Sequence, residues 1–152
     1  MVPLHHQPLA LPSGEVIVFE DGFNSNHQRW LRAHRRSGGS WVVEDVADLS
    51  WTYTFCNGFG GGAGGRPTVR AVDPLGQPHI LFASQPEYSS TMIEDHYRDA
   101  TGWRVRTFPL SRGRPLDMVI DATGTTHILA EAAGLTTGTT RLVSIRIDAT
   151  AW

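Results

Sequence analysis

Apolar residues in this chain come in short runs of strand length, broken by Gly, Pro, Asp or Ser, with no useful stretch in the 3.6-residue spacing of a helix. Val69, Ala71 and Val72 form one such run, ending at Asp73, and Met118, Val119 and Ile120 end the same way at Asp121. A turn follows each, then the apolar runs His79-Ile-Leu-Phe-Ala and His127-Ile-Leu-Ala. A third run spans Met92 to Arg98, matched by Trp30 to Arg36 and Arg141 to Ile147, with His34 aligned on His96 and Leu31 on Ile93. A fourth begins at a tryptophan, in Trp41-Val-Val-Glu-Asp-Val and Trp103-Arg-Val-Arg-Thr-Phe. In the second of these, Trp103 and Val105 alternate with Arg104 and Arg106, which predicts a half-buried strand until Phe108 breaks the pattern.

These runs recur in phase. Asp73-Pro-Leu-Gly76-Gln-Pro-His79-Ile80 returns 48 residues later as Asp121-Ala-Thr-Gly124-Thr-Thr-His127-Ile128. Trp103 lies 27 residues after Gly76, Trp152 lies 28 after Gly124, and Trp41 lies 27 after Gly14. The earliest copy has drifted, with Leu11 in place of the Asp and Ile17 in place of the His, while Gly14 keeps the turn. Three phased copies of a unit this size indicate a repeat architecture, and four strands per unit of about 48 residues are the signature of a β-propeller blade.

On these residues the chain resembles the bacterial β-propeller repeat families related to sialidase-like (Asp-box) and NHL-type propellers. Its turn is a degenerate Asp-box: two residues separate Asp from Gly where the box has one, and His follows where the box has an aromatic. The resemblance covers nearly the whole chain. It implies an all-β fold of three four-stranded antiparallel blades, the last lacking its outer strand. Blade 1 covers about 4–48, an aromatic and Gly-rich insertion about 49–65, blade 2 about 66–110 and blade 3 about 112–152. Aligning Gly14 on Gly124 places Met1 on Ser111, just past a fourth strand, and Trp152 stands where the last fourth strand begins. Three blades do not close a ring, since rings use about four to eight, and open flanks leave apolar faces and a strand edge in water. Two expectations follow: a segment of a longer propeller, or two copies assembled head to tail into a six-bladed ring.

Composition narrows the chemistry more than the role. Hydrophobic residues make up 40% and the formal charge is −2, as in a soluble globular protein. No apolar run approaches the ~20 residues that span a bilayer. The start, Met-Val-Pro-Leu-His-His, lacks the basic region and apolar core of a signal peptide, and the compartment stays open. All 13 basic residues are Arg, which excludes Schiff-base lysine, a phosphate-loop lysine and a Ser–Lys dyad. Cys56 stands alone, so no internal disulfide or cysteine-based zinc cluster forms. There is no Gly-x-Ser-x-Gly elbow, His-Glu-x-x-His or phosphate-cradling loop, and no cofactor is predicted.

The Asp-x-x-Gly-x-x-His element, with Asp73, Gly76 and His79 or Asp121, Gly124 and His127, is read as structural. Asp accepts backbone N–H bonds at the turn, and the His opening the next strand bonds it and staples two strands. Of the seven His, His5 and His6 are adjacent and point to opposite faces of a strand, while His34 and His96 fall on neighbouring blades, so no metal site is expected. Arg29, Arg32, Arg35 and Arg36 with Trp30 could track a nucleic acid, but a solvated outer face is favoured in a slightly acidic chain, and no nucleic-acid partner is expected.

The insertion is the best functional candidate. Trp51, Tyr53 and Phe55 alternate and project from one face when extended, fit to stack on sugar rings or to anchor a protein. Alternatively they bury against a blade while the following Gly run gives slack. The resemblance implies that such connections, and those between second and third strands, share the ligand-binding face. Asn24, Glu87 and Tyr88, with Asp21, are candidates on the latter. Two functions follow: a non-enzymatic recognition or scaffold module for a protein or glycan, or a sialidase-like glycoside-processing enzyme or lectin. The enzyme needs converging Arg, a carboxylic acid and an activated Tyr such as Tyr53, Tyr88 or Tyr97.

Overall fold

A computed structural model describes residues 8–23, 29–48, 69–87, 90–110, 113–133 and 139–148. Among them there is no helix. Eleven strands run in chain order: β1 (Pro8–Ala10), β2 (Val16–Phe23), β3 (Arg29–Ser37), β4 (Ser40–Asp48), β5 (Val69–Val72), β6 (Pro78–Glu87), β7 (Ser90–Asp99), β8 (Gly102–Leu110), β9 (Gly113–Ile120), β10 (Thr126–Ala133) and β11 (Thr140–Ile147). They form three open antiparallel meanders, β1-β2-β3-β4, β5-β6-β7-β8 and β9-β10-β11, in which every strand pairs with its sequence neighbour. The 49–65 insertion and Trp152 lie outside the described residues.

Local chemistry explains the turns. Gly76 N donates to Asp73 O at 2.9 Å, and Asp73 N donates to Gln77 O at 3.0 Å, closing the β5–β6 connection. Gly124 and Asp121 do the same between β9 and β10. The glycine sits at φ 81° in one turn and 82° in the other, a region where a Cβ would clash. Between β3 and β4, Gly38 and Gly39 both take positive φ, and Ser37 pairs with Ser40 across them, as a two-residue hairpin loop requires. Prolines stay where a missing N–H costs little: Pro78 opens β6, and Pro115 lies on the edge strand β9 beside a bulge opposite Leu129 and Ala130.

The meanders stack through their faces. Ile17 and Phe19 of β2, Leu31 and Ala33 of β3 and Val46 of β4 form one buried cluster with Ile80 of β6, and Trp103 of β8 packs at its margin. Phe19 and Trp103 meet edge to face, with centroids 5.8 Å apart. The other face of the second sheet contributes Val69, Leu81 and Ile93 to a cluster completed by Met118, Ile128, Ala130, Ala132 and Ile147 of the third. Consecutive residues Ile80 and Leu81 thus enter different cores, as the two-residue period of a strand dictates. The second sheet is covered on both sides.

The alternation along β8 divides its side chains between the two neighbouring sheets. Arg106 lies on the face turned to the third sheet, with its side chain 15% exposed. Trp103 occupies the opposite face, against the first sheet.

Ile93 is fully buried in the second cluster. Ile93→Ala is expected to cost about 2–5 kcal/mol. Urea unfolding should show a lower midpoint with an unchanged slope.

Candidate functional site

The turn carboxylates act on the backbone. Asp73 Oδ1 accepts from Leu75 N at 2.9 Å and Gln77 N at 2.7 Å. Asp121 Oδ1 accepts from Thr123 N at 2.9 Å, Thr123 Oγ1 at 2.6 Å and Thr125 N at 3.1 Å. The Thr123 hydroxyl foremost, with the His127 ring, holds the Asp121 carboxyl far below the usual carboxylate range. At the turn between β1 and β2, Gly14 N likewise donates to Leu11 O at 2.9 Å, without any carboxylate.

The two histidines behave differently. His127 Nε2 stands 3.1 Å from Asp121 Oδ2, on an exposed surface. His79 Nε2 lies 3.9 Å from Asp73, and its Nδ1 donates instead to Asp95 of β7 at 3.0 Å. The reason is packing. His79 faces the third sheet and is buried with Asp95, so the ring turns to the carboxylate that shares its burial.

Asp95 is the hub of this second seam. It is fully buried and accepts Arg106 Nε at 2.6 Å as well as His79, while Arg106 Nη2 crosses to Thr126 Oγ1 of the third sheet at 3.2 Å. Tyr97 stacks on His79 with centroids 5.5 Å apart, and Arg106 lies 5.3 Å from the Tyr97 ring. Among the described residues His79 Nε2 is buried without a hydrogen bond.

Glu44 of β4 is the hub of the first seam. Arg98 of β7 binds it with both arms, Nε at 2.8 Å and Nη2 at 3.0 Å, and Trp103 Nε1 of β8 donates at 2.9 Å. Arg35 of its own sheet adds an ion pair at 3.3 Å and also binds Glu15. Burial alone would raise the Glu44 carboxyl, but the bond and charge of Arg98, the Trp103 donor and the Arg35 charge together hold it below 4.5. Its bond to Glu44 raises Arg98 in turn.

A cleft of about 220 Å³ opens where this seam meets the turns, lined by Glu15, Arg35, Gln77, Arg98 and Asp99. Its two guanidiniums already face Glu15 and Glu44. The cleft sits at the turn end of the sheets, opposite the end where β2 stops at Phe23 and β3 starts at Arg29.

Of the candidate ligand residues, Trp51, Tyr53, Phe55, Asn24 and Tyr88 lie outside the described residues. Glu87 ends β6, paired with Ser90, and its side chain lies outside them too. Tyr97, one of three tyrosines considered for catalysis, is engaged in the second seam. The arginine run of β3 is split by alternation: Arg35 turns to the second sheet, and Arg32 binds Asp45 at 2.8 Å and covers Trp30. His34 pairs with Glu20 at 2.6 Å and His96 with Glu94 at 3.0 Å, each within its own sheet. Sequence reasoning missed Glu44 and Asp95. Their one signal was an acid within a run of strand residues, at the phase facing a neighbouring sheet.

No protein-family model, curated protein or solved structure matches this chain.

Glu44→Gln is expected to cost about 1–3 kcal/mol at neutral pH, because charge-assisted donors lose their carboxylate. Folding lowers the Glu44 pKa, so its contribution is complete above 4.5 and is lost as pH falls through the lowered folded value. Urea midpoints of wild type and variant, measured from neutral to acid pH, should converge at the acid end. A pH-independent gap would contradict the clamp.

Proposed function

We propose that this chain is a run of β-propeller blades serving as a non-enzymatic recognition or scaffold module for a protein or glycan. One observation carries the reading: the second meander is sealed on both faces by meanders of the same strand order. Blades of a propeller bury their faces in this manner. The polar groups support the non-enzymatic half. Glu44, Asp95, His79, Arg98 and Arg106, which could do acid–base or carboxylate-binding work, are spent on joining strands and sheets. Recognition is assigned to Trp51, Tyr53 and Phe55 of the insertion, together with Asn24, Glu87 and Tyr88. A second copy, or further blades of a longer chain, would cover the two outer faces.

On a glycan array the protein is expected to give a saturable signal that Trp51→Ala weakens at least about tenfold, the equivalent of ~1.4 kcal/mol of stacking. A panel of fluorogenic glycosides should stay at background. Glycoside release above background would replace recognition with the sialidase-like hydrolytic reading.

A further inference from the structure

At several register positions the two outer faces of the stack repeat the residue types of the faces buried inside it. Phe19, Leu81 and Leu129 each follow a turn glycine by five residues. The first two are buried, at 6% and 0% exposure, whereas Leu129 on the third sheet is 41% exposed. Leu31, Ile93 and Leu142 hold one register position, opposite Asp21, Ala83 and Glu131 respectively. Leu31 and Ile93 are fully buried, and Leu142 is 67% exposed. The open face of the third sheet therefore presents side chains that the two internal seams cover.

The outer face of the first sheet is its counterpart. In the second sheet, the face against the first presents His96, then Arg98 paired across strands with Trp103. The first sheet shows His34, and Arg36 paired with Trp41, in the same positions. Arg98 and Trp103 grip the neighbouring sheet through Glu44, while Trp41 is 54% exposed and Arg36 is exposed. One end of the stack thus has exposed leucines at positions that a following sheet covers in the internal seams, and the other has the His, Arg and Trp positions with which a sheet faces its predecessor.

Resting on the propeller reading above, we propose that these faces are two halves of one head-to-tail interface, and that the occupant of each is a second copy of this chain. Leu129, Leu142 and Val119 of one copy pack on the face of the other that holds Val18, His34 and Trp41. The argument is continuity: both halves lie on the same chain, the third sheet repeats the buried apolar positions of the internal seams at Leu129 and Leu142, and the first sheet repeats the His, Arg and Trp positions of the second. Because the halves differ, the contact is heterologous, and it closes on itself when two copies supply six sheets, within the usual range of about four to eight.

Native mass spectrometry and light scattering test this directly. The wild type should have twice the 16.7 kDa chain mass. Trp41→Arg and Leu142→Asp should each halve the observed mass, with Leu129→Asp as a second lesion in the same half. Mixing Trp41→Arg with Leu142→Asp should restore the two-chain mass, because one intact half survives on each variant, and two unfolded proteins would not do this. A wild type of single-chain mass, variants that stay paired, a mixture that fails to pair, or an open ladder of masses would each overturn the proposal. Glu44→Gln separates the two levels. If it destabilises as expected while the wild type is monomeric, only the docking fails, whereas an inert Glu44→Gln removes the stacked-sheet reading beneath it.

Discussion

A strand that is apolar on both sides has to be covered twice. In β6 the fully buried neighbours Ile80 and Leu81 point in opposite directions, and each belongs to a separate core. No two-layer packing satisfies such a strand, since one of its faces would stay in water. The second meander is consequently held between the other two. The same constraint sets what may line its outer strands, because Trp103 and Arg106 on β8 answer to different neighbours.

Apolar contact supplies attraction across the seams but little positional information, because it is non-directional. Directionality comes from carboxylates. Glu44 receives a two-armed guanidinium and an indole N–H from the facing sheet, so a slide of one sheet along the other breaks several bonds at once. Asp95 collects His79 and Arg106 on its own sheet and thereby aims the remaining arm of Arg106 at Thr126. The all-Arg basic complement suits this work, because a planar fork holds a carboxylate in one orientation and an ammonium does not. Buried ions this well partnered are expensive to orphan.

Much of the strand pattern was legible in the sequence because it is local. The Asp-to-Gly turns, the strand after each, and the tryptophan opening β4 and β8 all follow from spacing and turn chemistry within a few residues. The seams were not legible, for they join residues far apart in the chain: Arg98 and Glu44 are separated by 54 positions. His79 illustrates the limit. Its spacing from Asp73 suggested a bond within the turn, as His127 and Asp121 make, yet burial against the third sheet draws it to Asp95. The run of arginines in β3 read as one patch only while strand alternation was ignored, since Arg35 and Arg32 serve opposite faces. Trp103 stands out by its spacing, but its role as a donor to Glu44 depends on a neighbour 59 positions away that spacing does not specify.

The turn at Leu11 has a consequence for how such a chain can diverge. Its backbone closes with the 2.9 Å bond found at the Asp-bearing turns, although an aliphatic side chain stands where they have an acid. Chain reversal there is secured by peptide groups and one achiral residue, and the acid is an accessory fastening. Mutational drift can therefore erode the recognisable signature at these corners without displacing the elements on either side. The architecture can outlast the motif that advertises it.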